Sequence, residues 1–140
     1  MPMIDVTAAV GTFADQPALT TALAECMMRW EGVPPIALFT ENTAAFVREL
    51  PAQALSNAAG QNNYVRVDVL TPAGILDRDK KLGVVREMTE IVAAAAGDPS
   101  VSERTWVLIS EAPDGGWGID GHAYTNAEIA ETARRDLAGG

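Results

Sequence analysis

The second residue of this sequence is a proline whose chemistry depends on its place in the chain. The chain opens with Met1-Pro2-Met3, and removal of Met1 leaves Pro2 with a free secondary amine that its ring holds in one direction. An α-amine has a reference pKa of about 7.7–8.0, and burial in an apolar pocket lowers that pKa because desolvation disfavours the charged form. A neutral amine can move a proton alpha to a carbonyl. If Met1 stays, the Pro2 nitrogen is an amide nitrogen without basicity, and the site does not exist.

Four other side chains are candidates for binding a substrate beside that amine. Arg66 belongs to a predicted strand next to Pro2 and matches carboxylate geometry, and Asn63 before this strand can donate to a carbonyl. Each also has a structural interpretation, Arg66 as an exposed charge or subunit ion pair and Asn63 as a turn former. Trp106 and Trp117 can form an apolar wall, although Trp117 is equally suited to a core or a subunit contact.

The single cysteine and the single histidine limit the metal and redox chemistry of the chain. Cys26 falls on an apolar helical stripe and is predicted to be a buried thiol in a reducing compartment. His122 follows a glycine-rich hairpin and is interpreted as a surface histidine rather than a general acid. One cysteine and one histidine are too few soft ligands for a conventional zinc site, so we expect neither a metal nor an organic cofactor.

Composition excludes several classes of partner. The 140 residues carry a net charge of −9, which argues against nucleic acid and anionic membranes because both need a basic face. No apolar run approaches the ~20 residues of a membrane span, and the start is predicted as a strand rather than a signal peptide. We therefore expect a cytoplasmic protein, and a small anionic substrate stays possible because a local pocket can oppose the global charge.

The first part of the chain has a β-α-β pattern. Residues 2–10 alternate weakly as a strand, and a helix is predicted from an Asp15 cap to Gly32. The apolar run 36–40 is predicted to be the second strand. Residues 44–50 are predicted to form a helical turn or two.

The second part repeats this pattern. Residues 64–70 give the strongest strand signal, because they alternate and are rich in β-branched residues. A helix is predicted from an Asp77 cap to Gly97, followed by a buried strand at 105–110. The glycine-rich segment 112–121 then predicts a tight hairpin, and a charged terminal helix is predicted over 127–137 behind a cap at Thr125 or Asn126.

The register of the two parts indicates a duplication. Asp5 and Asp68 are 63 positions apart, as are the two glycines that end their strands. Segments 38–41 and 108–111 match at a spacing of 70, which predicts seven extra residues in the second unit. We predict one α+β domain over 1–140, with unit one at 1–61 and unit two at 62–140. Its two tandem β-α-β units would form a four-stranded mixed sheet with two helices on one face, although a ferredoxin-like order has the same string of elements.

The segments 106–112 and 116–121 carry a family resemblance. They are similar to the second strand and the aromatic-Gly-Ile hairpin of 4-oxalocrotonate tautomerase, and the bend 32–35 resembles that of two-unit members. The sequence thus resembles the tautomerase superfamily, which is built from β-α-β units with an amino-terminal proline as catalytic base. The resemblance favours the tandem order over the ferredoxin-like one. It implies a homotrimer, a catalytic Pro2, and pocket positions for Trp106 and Trp117.

The specificity residues of that family are missing from this sequence. Positions where its members carry arginine, lysine or aspartate hold uncharged residues instead: Thr12, Val33, Ile36, Ala37, Ile75 and Trp106. The resemblance therefore transfers the amine but not the substrate.

Three functions stay open on this evidence. The favoured one is a cofactor-independent tautomerase, an isomerase in which Pro2 shuttles a proton in keto–enol conversion of a small 2-oxo or 2-hydroxy-dienoic acid. A second is a hydratase, dehalogenase or decarboxylase of a three-carbon acid, which requires a cationic Pro2 and either two arginines or a positioned acid. A third is a non-catalytic trimeric paralogue, which the missing arginines and a retained Met1 would favour.

Overall fold

The secondary structure follows the predicted duplication closely. The computed structural model describes residues 1–139, and the elements occur in the following order: β1 Met3–Ala9, α1 Gln16–Glu31, α2 Ala37–Thr40, β2 Ala44–Leu50, β3 Val65–Pro72, α3 Arg78–Ala96, β4 Thr105–Ala112, β5 Trp117–Ile119, β6 His122–Tyr124 and α4 Asn126–Gly139. Two 3-10 turns occur in the connections: Ala52–Ala54 lies between β2 and β3, and Pro99–Arg104 lies between α3 and β4.

Four strands form one mixed sheet in the order β2-β1-β3-β4. Strand β1 pairs in parallel with β2, β3 pairs in parallel with β4, and the two units join through antiparallel β1 and β3. Each unit therefore pairs its own two strands directly. In a ferredoxin-like split order, a strand of the other unit would separate them. The tandem β-α-β prediction is confirmed.

The two units are related by a pseudo-twofold axis between the central strands. Asp5 pairs with Asp68 at the centre of the β1–β3 ladder. Helices α1 and α3 begin in the same way, because Asp15 and Asp77 each accept a hydrogen bond from the backbone nitrogen three residues later. Both helices end at a left-handed glycine, as predicted.

The main core lies between one face of the sheet and helices α1 and α3. Alternate residues of β1 and β3 point into it, so that Ile4, Val6, Val67 and Val69 are fully buried. The two helices approach closely where Gly83 of α3 meets the indole of Trp30, and a Cβ at position 83 would lie only 2.1 Å from the Trp30 ring. Both helices cover the same face of the sheet, as expected.

The predicted second strand of unit one is wrong. Residues 36–40 contain the one-turn helix α2, whereas 44–50, predicted as helical turns, form strand β2. A short apolar run does not distinguish strand from helix. The run is apolar because Phe39 is buried in the cluster that covers the amino end of the chain, not because it belongs to the sheet. Since β2 and β4 begin at 44 and 105, the predicted seven-residue insertion is wrong as well.

The hairpin predicted over 112–121 is only partly right, because its strands are Trp117–Ile119 and His122–Tyr124, so that His122 belongs to it. The terminal helix, predicted over 127–137, extends over Asn126–Gly139. Strands β5 and β6 pair antiparallel around Asp120 and Gly121, which both have positive φ angles, of 50° and 76° and so match a two-residue hairpin turn. Helix α4 begins with a capping box, because Thr125 Oγ1 accepts from the Glu128 amide while a Glu128 carboxylate oxygen accepts from the Thr125 amide.

None of the helices within residues 1–139 has both the length and the hydropathy that a membrane crossing requires.

Candidate active site

The amino end of the chain is buried against the rest of the molecule. Met1 is 2% exposed, and Pro2 is buried next to it. The Pro2 carbonyl accepts a hydrogen bond of 3.2 Å from the Ala44 amide at the start of β2. Pro2 directly precedes β1, where its missing N–H removes no hydrogen bond from the strand ladder. Pro2 is therefore held in a fixed position by the edge of the sheet.

A buried carboxylate lies next to the terminal nitrogen. Glu31 Oε2 is 3.0 Å from the Met1 nitrogen, and the two side chains are only 2% and 1% exposed. The other oxygen of this carboxylate, Oε1, accepts a hydrogen bond of 2.9 Å from Thr71 Oγ1. Each carboxylate oxygen therefore has a partner, and the two partners come from the start of the chain and the end of β3.

The placement of Glu31 follows from helical periodicity. Leu19, Leu23, Met27 and Glu31 are spaced by four residues on the buried face of α1, and all four are buried. Glu31 is also the last residue of the helix, where the helix dipole disfavours an anion. A buried anion at a helix carboxyl end breaks two local rules at once, which is typical of a functional position rather than a structural one.

Thr71 reaches the same point by strand alternation. The core-facing residues of β3 are Val65, Val67, Val69 and Thr71, all of them buried. Thr71 lies one residue beyond the Met3–Leu70 pair, so the antiparallel register brings it alongside Pro2. Its hydroxyl is thereby directed at the carboxylate of Glu31.

A small cavity opens beside these groups. It has a volume of about 160 Å³ and is lined mostly by apolar residues together with Glu31 and Asn126. The apolar lining residues are Met1, Val33, Phe39, Pro72, Ile75, Ile129 and Ala130. Within residues 1–139, neither lysine nor arginine lines this cavity. Glu31 is therefore its only charged side chain.

The Met1 side chain fills apolar space next to this cavity. Its side chain belongs to a second buried cluster, separate from the main core, whose other members are Phe39, Trp117, Ile129 and Ala133. A further cavity of about 40 Å³ also touches Met1. Loss of Met1 would therefore enlarge the space beside Pro2 and leave it lined by apolar side chains.

The structure brings Trp117 to the amino end of the chain but leaves the other predicted binding residues elsewhere. Arg66 pairs with Thr7 on one side and Trp106 on the other. Thr7 is four residues along β1 from Met3, so Arg66 lies roughly 13 Å from the start of the strand at the usual rise per residue. Asn63 is exposed, and its carbonyl accepts from Arg104. A role for these residues at a site shared between subunits remains a prediction.

Arg66 and Trp106 lie on the face of the sheet that the helices leave uncovered. Arg66 forms an exposed ion pair with Asp68, 3.0 Å between Nε and Oδ2, and Trp106 stacks on Tyr64 with ring centroids 4.6 Å apart. The same face exposes the large apolar side chains of Phe46, Leu70, Trp106 and Leu108.

A second carboxylate cluster joins the two long helices. Glu87 of α3 accepts hydrogen bonds from Cys26 Sγ, Trp30 Nε1 and Arg29 Nη2, at 2.7–2.8 Å. The hydrogen bond from the Cys26 thiol is the main cause that lowers the pKa of Glu87, and the hydrogen bonds from Arg29 and Trp30 lower it further. Burial, followed by the hydrogen bond to Glu87, raises the pKa of the Cys26 thiol far above its usual value. Cys26 is thus a protonated, buried thiol.

His122 lies at the surface, as predicted. Its Nε2 is 2.9 Å from Glu128, and its ring meets Tyr124 edge-on. The hydrogen bond from His122 lowers the pKa of Glu128. Among the described residues, no group of three or more histidine, cysteine, aspartate or glutamate side chains could hold a metal ion.

Comparison with solved structures identifies the architecture. A wild-type fused 4-OT, solved as an asymmetric trimer, superposes with a TM-score of 0.72 at 21% identity, covering 86% of this chain and 94% of that one. A member of the cis-3-chloroacrylic acid dehalogenase family gives 0.72 at 18% identity, covering 98% and 99%. Pt0534 inactivated by 2-oxo-3-pentynoate gives 0.74 at 18% identity, covering 89% and 97%.

The chain has the two-unit tautomerase-superfamily fold. No protein-family model matches the sequence, and no curated protein matches it. At these identities the tautomerase likeness concerns the fold, and the chemistry must be argued from the site itself.

Two site residues were missed in the sequence although each leaves a signal there. Glu31 interrupts an apolar stripe at four-residue spacing, and Thr71 interrupts a run of valines at two-residue spacing. A polar residue on the buried face of an element needs a partner. Searching for such interruptions would have found both residues, but not that they meet.

Proposed function

We propose that this protein is an enzyme that uses the amine of Pro2, freed by removal of Met1, to move protons in keto–enol tautomerisation. The observation that carries the proposal is the buried carboxylate of Glu31, 3.0 Å from the Met1 nitrogen at the wall of an apolar cavity. Successive backbone nitrogens are separated by roughly 3 Å. The freed Pro2 amine would therefore stand within a few ångströms of this carboxylate.

Glu31 changes the expected charge of the amine. Desolvation alone would favour a neutral Pro2, whereas a neighbouring carboxylate favours the ammonium. The two groups form one acid–base pair that holds a single proton, on nitrogen in the ion-paired form or on oxygen in the neutral form. Such a pair can give a proton on one side of a substrate and accept one on the other.

Ketonisation balances on the ion-paired form. Glu31 accepts the proton of the enol hydroxyl while the Pro2 ammonium gives its proton to the carbon, so that the O–H bond breaks and a C–H bond forms. The pair is left as a neutral amine and a carboxylic acid. Transfer of the proton from Glu31 to Pro2 then restores the starting form.

Thr71 and the apolar lining support this cycle. The Thr71 hydroxyl holds one Glu31 oxygen at 2.9 Å, which directs the other oxygen toward the amine. The apolar lining limits the access of water, and such a site strengthens the interaction between the two charges. Trp117 supports it only from a distance, through the cluster that it shares with Met1.

A comparison of Pro2→Ala with the wild-type chain tests the proposal, with ketonisation of phenylenolpyruvate as the assay. Intact mass must first establish that Met1 is absent from both proteins. Pro2→Ala keeps a terminal amine but removes the ring that holds it in one direction, and we expect kcat/KM to fall by about 100-fold, the scale of a misplaced reacting group. Equal rates in the two proteins would reject the proposal and leave the non-catalytic paralogue.

Hydration is a second candidate function, because Glu31 supplies a positioned carboxylate that can activate a water molecule. A Pro2 ammonium could protonate one carbon of an activated multiple bond while Glu31 takes a proton from the attacking water. 2-Oxo-3-pentynoate, which inactivates Pt0534, is a suitable probe for this chain. Water addition would favour the hydratase, whereas a covalent adduct on Pro2 would indicate a free nucleophilic amine.

We further propose that the protein is a homotrimer that associates through the uncovered face of the sheet. Its exposed apolar residues are Phe46, Leu70, Trp106 and Leu108, and a clustered apolar face of this kind favours association. The fused 4-OT neighbours were solved as trimers. A sedimentation measurement that gave the monomer mass at working concentration would reject this assembly.

A further inference from the structure

The sequence predicts an anionic substrate, but the cavity beside Glu31 is unsuited to one. We infer that the site selects an uncharged carbonyl compound with an apolar body and discriminates against the corresponding carboxylate. The inference rests on the proposed function of Pro2, and it adds the charge class of the substrate. It follows from the charges around the cavity, the polarity of its lining and its size.

The charges on the cavity wall are unfavourable for an anionic substrate. Glu31 is the only charged side chain on the wall of the 160 Å³ cavity among residues 1–139, and its side chain is 2% exposed. The terminal nitrogen, which is that of Met1 in this structure, is already bound to Glu31 at 3.0 Å, and in the Met1-free chain the Pro2 nitrogen is proposed to take its place. Among residues 1–139, a substrate carboxylate would therefore find no free cation on the wall of this cavity, and it would lie a few ångströms from the Glu31 carboxylate.

The lining adds a second penalty. Seven of the nine residues around the cavity are apolar, and the side-chain amide of Asn126 already donates to the Ala73 carbonyl at 2.8 Å. A carboxylate that enters loses its hydration and gains few hydrogen bonds in return. Burial of an unpaired charge is strongly unfavourable, whereas an ester or ketone of the same shape loses little.

The size of the cavity directs the apolar body of the substrate. Removal of Met1 vacates a position between two cavities: Phe39 and Ile129 line the 160 Å³ cavity, and Ile129 also lines the second cavity of about 40 Å³. An aromatic or branched aliphatic group can occupy the place of the Met1 side chain. The reacting carbonyl then lies toward Pro2 and Glu31.

Phenylenolpyruvate and its methyl ester form a matched pair of probes, because they differ in one charge and share the enol that ketonises. For the Met1-free wild-type protein we expect kcat/KM to be at least ~10-fold higher for the ester, because the acid brings a charge into an apolar site whose one nearby cation is already paired with Glu31. In Glu31→Gln, both rates fall, and the ratio moves toward the acid by ~10-fold or more. The substrate carboxylate then takes the place of the Glu31 charge beside Pro2 and itself favours the ammonium form of the amine.

Glu87→Gln is the control for a lost carboxylate, because Glu87 joins α1 to α3 and does not line the cavity. It should leave the ester-to-acid ratio unchanged. A wild-type preference for the acid, or a ratio that Glu31→Gln does not move, would overturn the inference and indicate cations supplied by a neighbouring subunit. The wild-type ratio alone tests the inference if Glu31→Gln does not fold.

Failure of the proposed function gives a different pattern. If Pro2→Ala matches the wild-type rates, the catalytic proposal is wrong, whatever the ester-to-acid ratio. The charge preference can still be measured as binding, by quenching of tryptophan fluorescence with phenylpyruvate and its methyl ester. At least ~10-fold tighter binding of the ester would support the inference on the site's charge, and equal or tighter binding of the acid would contradict it.

Discussion

The pseudo-twofold axis gives the molecule two equivalent corners, and only one of them is polar. Helix α1 ends at Glu31, and helix α3 ends at Ala96. On the sheet, Thr71 stands three residues after Asp68, and its counterpart three residues after Asp5 is the fully buried Ala8. The equivalent corner at the end of α3 is therefore formed by two alanines, Ala96 of the second unit and Ala8 of the first.

This difference shows that the fold does not need a carboxylate at the end of its helix. The counterpart of Pro2 in the second unit is Val65, an internal residue that cannot present an amine. The polar pair occurs only at the corner where a chain terminus exists. We infer that Glu31 and Thr71 serve the terminal nitrogen rather than the architecture.

Removal of the Glu31 carboxylate should have the largest effect on stability, provided that Met1 is retained. Glu31→Ala would leave the buried Met1 ammonium without a partner, at a cost of about 3–5 kcal/mol. Urea unfolding of wild type and Glu31→Ala, each purified with and without Met1, measures this loss of stability. In the Met1-free chain the loss should be smaller, because a Pro2 amine in an apolar site can stay neutral. Equal losses in the two forms would mean that Glu31 does not act through the terminal nitrogen.

The Glu87 cluster contrasts with the Glu31 site, because the groups that donate to Glu87 all belong to helix α1 and none is a chain terminus. Glu87→Gln should cost about 1–3 kcal/mol at pH 7, since it weakens hydrogen bonds to the carboxylate from Cys26, Trp30 and Arg29. The folded pKa of Glu87 is lowered. Its contribution is therefore present above the unfolded pKa and is lost as the pH falls through the folded pKa.

Urea unfolding at several pH values should show the difference between wild type and Glu87→Gln shrinking as the pH falls below about 4.3, the unfolded pKa of a glutamate. A difference that stayed constant down to pH 3 would contradict the assigned role of the ionised carboxylate.

Transfer of the carboxylate to the apolar corner tests the comparison in the opposite direction. Ala96→Glu would place an anion at the carboxyl end of α3, partly buried and without a threonine or an amine beside it. We expect a loss of about 1–2 kcal/mol by urea unfolding. Addition of Ala8→Thr should recover part of this loss by supplying a donor. If Ala96→Glu is as stable as wild type, a carboxylate at this position requires no functional explanation.

The smallest expected effect on stability comes from Thr71, which positions Glu31. Thr71→Val keeps the shape but removes the 2.9 Å hydrogen bond to Oε1, for a loss of about 1 kcal/mol. The rate of ketonisation should fall in the same variant, because Glu31 is no longer held toward the amine. Thr71→Ser restores the donor and should restore the rate. Failure of serine to rescue would indicate that Thr71 acts through packing alone.

Much of the fold was predictable because its signals are local. Aspartate caps, left-handed glycines and alternating valines mark α1, α3 and β3 in the sequence. The exception is the segment 36–50, where the strand and the helical turn were assigned the wrong way round. Its most apolar run is buried by contacts with the amino end of the chain, which are tertiary contacts that a local pattern does not contain.

Of the candidate site, only Pro2 was predictable, because the contact between Glu31 and Thr71 is a tertiary contact as well. Pro2 is visible in the sequence because its chemistry depends on position alone. Glu31 and Thr71 are 40 residues apart and meet only through the β1–β3 register. Arg66 and Trp106 are suitable by residue type, but the register pairs Arg66 with Thr7 and Trp106 with Arg66, away from the amino end of this chain.

The most direct test compares two proteins that differ only in Met1, each identified by intact mass, for the rate at which they ketonise the methyl ester of phenylenolpyruvate. Removal of Met1 frees the amine beside Glu31 and vacates the position that its side chain fills. We predict a kcat/KM at least ~100-fold higher for the Met1-free chain, the scale of a general acid–base group. Equal rates from the two proteins would contradict the assignment of Pro2 as the catalytic residue.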